Sequence, residues 1–69
     1  MTQKELLYLE DAIGHEENII SILEETIKML QDEKLKSFLN LELNSHVSMK
    51  EKLLNTLEVK ANGWSITFR

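Results

Sequence analysis

The chain has 69 residues, with 12 acidic and 8 basic side chains, two histidines, no cysteine and no proline. That length holds one domain at most and excludes a two-domain enzyme. The lack of cysteine excludes a disulfide framework and a thiolate zinc site. A net charge of −4 argues against nucleic acid as the main partner, because phosphate contacts need a basic surface. No run approaches 18 apolar residues, and Met1–Glu5 is not a basic segment leading into an apolar one. Neither a membrane span nor a secretory leader is therefore expected, and a cytoplasmic, reducing setting is the default.

Thr2 followed by Glu5 is a capping-box pattern that opens a helix. Leu6, Leu9, Ile13, Glu16, Ile20, Leu23, Ile27 and Leu30 then recur at alternating steps of three and four. This is a heptad seam over about four repeats, interrupted only by Glu16. Beside it lie Ala12 and Ile19, then a column spaced by seven: Tyr8, His15, Ile22 and Met29. The other side carries Glu10, Glu17 and Glu24 with Asp11 and Glu25, a solvated acidic face. The apolar arc is wider than one seam needs, so this helix calls for more than one neighbour. Gly14 falls on the polar side and costs about 1 kcal/mol relative to Ala.

The seam stops at Leu30, because continuing it would put Lys34 and Ser37 in the core. Asp32 is placed to cap a second helix, with Glu33 favourable in its first turn. That helix carries Leu35, Phe38, Leu39, Leu43, Val47, Met49, Leu53, Leu54 and Leu57 on one arc. Two readings stand: a tight turn near residues 31–33 giving an αα-hairpin, or one continuous helix of almost 60 residues. The loss of phase favours the hairpin.

Residues 1–32 hold eight acids against two lysines, and residues 33–69 hold four acids against five lysines and Arg69. Halves of opposite sign suit one another as packed neighbours. Two helices alone cannot close a core. The expected fold is therefore all-α: an antiparallel two-helix hairpin over residues 1–63 that pairs into a four-helix bundle, a C2 homodimer or higher. Gly63 is expected to end the second helix. Residues 64–69 then form a short extended C-terminal tail, since Trp64, Ile66 and Phe68 alternate with polar residues. Those three side chains would bury against the bundle or a protein partner. The alternative is a chain that continues into a further element.

Polar residues on apolar faces are the candidates for chemistry. Glu16 breaks the first seam, and Glu42 and His46 fall within the second apolar arc, four apart and so on one face. Folding the chain at residues 32–33 sets His46 within a turn of Glu16, with Glu42 one turn nearer the loop. Carboxylates and an imidazole converging between helices are ligands for iron, manganese or zinc. The simpler reading is a structural Glu–His pair that fixes register. No nucleophilic triad, phosphate loop or zinc signature is present, so an enzyme is not the expectation.

Glu16, or the adjacent Glu17, together with Glu42-Leu43-Asn44-Ser45-His46 resembles the ferritin-like superfamily, whose pattern is a first-helix Glu and a Glu-x-x-His. The spacing here is one residue longer. Asp32–Lys36, His46 and Gly63-Trp64 look similar to the spore coat F-like branch. The first resemblance implies metal ligation by Glu16, Glu42 and His46, with Glu17 in reserve and iron or manganese as cofactor. The second implies a spore-associated structural protein.

Overall fold

A computed structural model describes the backbone of residues 1–67 and the side chains of residues 1–60. Two helices, α1 (Gln3–Met29) and α2 (Glu33–Thr67), pack against each other as a hairpin. Among the described residues there is no strand, and no helix is long and apolar enough to cross a membrane.

Both helix starts follow from the sequence. The Thr2 hydroxyl accepts from the Glu5 N–H at 3.1 Å, and the Thr2 N–H donates back to Glu5 Oε1 at 3.3 Å. This reciprocal box satisfies two of the four N–H groups that a helix start leaves without partners. Asp32 Oδ1 accepts from the Leu35 N–H at 3.0 Å and so caps α2. Between the helices, Leu30 adopts an extended backbone with φ −82° and ψ 145°. A negative φ suits any residue, so the turn forms without glycine.

The helices meet along heptad seams. On α1 the half-buried positions follow the expected series from Leu6 to Leu30, with Ile13 the most enclosed at 8% exposure. On α2 the seam is Lys36, Leu39, Leu43, His46, Lys50, Leu53 and Leu57, all half-buried at steps of three and four. This corrects the expected arc. Leu35, Phe38, Met49 and Leu54 are exposed, because the helix turns two lysines and a histidine toward α1 in their stead. The aliphatic stems of Lys36 and Lys50 cover the seam while their charged ends reach Glu33 at 3.9 Å and Glu17 at 3.6 Å.

The extended tail is also corrected. Gly63 does not end α2, which continues through Thr67. A lone strand leaves its backbone groups without partners, whereas a helix satisfies them within itself. The burial expected of Trp64, Ile66 and Phe68 falls outside the described side chains.

The hairpin is elongated, with Cα extents of 55 × 15 × 12 Å. Its radius of gyration is 16.0 Å, against roughly 11 Å for a compact chain of this length.

The capping box also sets a pH response. The Glu5 carboxyl lies below its ordinary value of 4.5 because the Thr2 hydroxyl and N–H bond its charged form and Lys60 stands nearby. Folded Glu5 thus binds its proton more weakly than unfolded Glu5. Its contribution is present above pH 4.5 and lost as the pH falls through the folded value. An NMR titration should give Glu5 a midpoint under 4.5, and Thr2→Ala should bring it back toward that value. An unchanged midpoint in the variant would remove the capping box as the cause.

Candidate functional site

The hairpin joins Glu16 and His46 inside the seam. His46 Nδ1 lies 2.6 Å from Glu16 Oε2, with side-chain exposures of 20% and 12%. A carboxylate only accepts, so Nδ1 carries the hydrogen and donates it. Glu16 occupies a seam position on α1 and His46 one on α2, so the contact follows directly from the two heptad series. It is a short hydrogen bond in a partly water-excluded layer between apolar ones, where such bonds are strongest.

Two further contacts flank it. Lys50 Nζ lies 3.6 Å from Glu17, and Lys60 Nζ lies 3.6 Å from Glu5. Both are substantially exposed and screened by solvent, so they guide alignment more than they add stability. With Glu16–His46 they join the acidic helix to the basic one at three levels, which defines an antiparallel register.

Glu42 does not join the pair. It is exposed on α2, and Glu17 is directed to Lys50. Among the described residues no three His, Asp or Glu side chains converge to a geometry that could hold a metal ion. His15 is exposed on the column with Tyr8. An open hollow at the N-terminus is lined, among the described residues, by Met1, Thr2, Gln3 and Leu6, none of which carries a carboxylate or an imidazole.

The exposed large apolar side chains of the α1 column are the surplus that its wide apolar arc called for, and only those of α2 stand apart from the expected core. Met29 is 76% exposed and Phe38 56%, with Tyr8, Ile22, Leu35, Met49 and Val59 also open to solvent. The signal for the surplus was the column spaced by seven on α1. The matching stripe on α2 was hidden inside an arc that merged two faces.

Family models, curated proteins and solved structures were compared with the chain, and none matches it. The ferritin-like resemblance therefore rests on its short motifs alone.

Replacing one partner of the pair leaves the other half-buried without its hydrogen bond, whereas replacing both by apolar residues completes the seam. Glu16→Leu and His46→Leu should each lower stability by about 1–2 kcal/mol, and the double variant should recover that loss or exceed the parent. Chemical denaturation measures all three. Additive losses in the double variant would show that the contact contributes nothing as a pair.

Proposed function

We propose that this chain is a structural or interaction module, a helical hairpin that pairs with a second copy into a four-helix bundle. The observation that carries the reading is the set of large apolar side chains, Met29 and Phe38 among them, left exposed along the hairpin. The total surface, polar and apolar together, is 5549 Å², about a thousand Å² more than the ~4500 Å² expected of a compact 8.1 kDa monomer. A standard interface removes roughly 800 Å² from each partner, so one partner of similar size absorbs the excess. With a single residue in the buried class among those described, the hairpin has little core of its own. Sedimentation equilibrium at micromolar concentration should give about twice the 8.1 kDa chain mass. A folded monomer would refute the reading.

A second reading is ferritin-like metal binding through Glu16, Glu42 and His46. The Glu16–His46 contact favours it, and the outward placement of Glu42 sets it second. Metal analysis after reconstitution with iron or manganese should find no stoichiometric ion. Stoichiometric metal that disappears in His46→Ala would make this the leading reading.

A further inference from the structure

Heptad positions divide the hairpin into two unlike broad faces. In an antiparallel pair, the flank preceding each seam lies on one side of both helices, and the flank following each seam lies on the other. On the preceding side α1 presents Tyr8, His15, Ile22 and Met29, with Ala12 and Ile19 nearer the seam. On the same side α2 presents Leu35, Phe38, Met49 and Val59. Seven of the ten exposed large apolar residues among those described fall here: Tyr8, Ile22 and Met29 on α1, and those four on α2. The other three, Leu7, Leu41 and Leu54, are scattered over the back and the opposite face, which also carries Glu10, Glu17 and Glu24. The acids of α1 thus avoid the apolar face except for Glu5 at its end, which is held by Thr2 and Lys60.

Two charges on the α2 stripe, Glu42 and Lys52, interrupt this apolar face, and their positions are informative. They have opposite signs, and each lies five residues from Val47. Leu35 and Val59 each lie twelve residues from the same point. On α1, Tyr8 and Met29 lie 11 and 10 residues from Ile19. The cross-helix contacts Glu16–His46, Glu17–Lys50 and Glu5–Lys60 set Ile19 level with Val47 to within about one helical turn. The stripes on both helices therefore share one centre and are self-complementary about it.

We infer that this face is the homodimer interface, and that its two-fold axis crosses the hairpin at the level of Ile19 and Val47, with the two turns at opposite ends of the bundle. The inference deepens the proposed self-association and rests on it. In this arrangement α1 packs on its copy and α2 on its copy. Each Glu42 meets Lys52 of the second copy, and by symmetry the contact occurs twice. Tyr8 meets Met29, and Ile19 meets itself. The other face-to-face arrangement puts both turns at one end and α1 over α2. It sets Glu42 against the level of Ile22 and Lys52 near that of Ala12, leaving charges on apolar neighbours. The opposite net charges of the two helices do not rescue that arrangement, because the acids of α1 point to the other face.

Charge exchange tests this in the full chain. Glu42→Lys and Lys52→Glu should each weaken the dimer at least about tenfold, since two like-charge contacts replace two opposite ones. The double exchange should restore affinity to within about threefold of the parent, by the same argument. Both positions are exposed in the hairpin, so folding of each variant is checked independently by helical circular dichroism. A nitroxide on Gln31→Cys reads the orientation directly. Gln31 lies twelve residues from the axis, so the two labels should be roughly 35–40 Å apart, against under about 20 Å with the turns together. A dimer whose affinity ignores the single exchanges, or is not restored by the double one, overturns the assignment of the face. A short label distance overturns its orientation. A monomeric parent chain overturns the self-association itself, and with it this inference.

Discussion

The structure depends on the mismatch between the two seams. Helix α1 offers an almost purely apolar row, and α2 answers it with leucines separated by Lys36, His46 and Lys50. Such a pairing has a single satisfactory alignment. Glu16 must find a donor inside the seam, and His46 is the donor that the antiparallel fold brings to it at 2.6 Å. A shift by one heptad would set Glu16 opposite Leu39 or Leu53 and His46 opposite Leu9 or Leu23, parting the two. The polar contact thus fixes register more than it adds stability, a role that buried polar groups serve in paired helices generally. The flanking pairs Glu17–Lys50 and Glu5–Lys60 follow from that register.

Fixing the register in this way leaves a thin core. Ile13 alone reaches the buried class among the described residues, and the remaining seam positions are half-buried. Apolar side chains that a larger domain would enclose stand outside the seam, most of them on one broad face and Leu7, Leu41 and Leu54 away from it. The division into one apolar and one acidic face is a property of the pair. It arises because antiparallel helices place equivalent flanks on the same side. Neither helix shows it alone as clearly: the α1 stripe sits beside an acidic back, and the α2 stripe is broken by Glu42 and Lys52.

Much of this was legible in the chain itself. Thr2 and Glu5 announced the first helix, and Asp32 announced the second. The loss of heptad phase after Leu30 announced the turn. The Glu16–His46 contact followed from counting back from that turn. What the sequence concealed has physical causes. Leu35, Phe38, Met49 and Leu54 belong by hydropathy to a core. A hairpin has room for one seam, and the polar residues that set the register occupy part of it. Gly63 looked like a helix end, but a glycine stops a helix only where something rewards the left-handed turn. Here α2 continues through it to Thr67. Glu42 shares a face with His46 by spacing, yet one position of rotation separates a seam residue from its exposed flank.

The turn has a consequence for how copies could exchange. Leu30 sits in ordinary extended backbone, and no described residue needs a positive φ. Equivalent seam positions on the two sides of the turn, Ile27 and Lys36, are nine residues apart. In an unbroken helix that spacing sets the two rows about half a rotation apart. A chain straightened through Leu30-Gln31-Asp32 would therefore show one row to a partner rod and the other to solvent. The break in the helix is what brings the α2 row round to α1, and copies that traded their second helices would have to keep it.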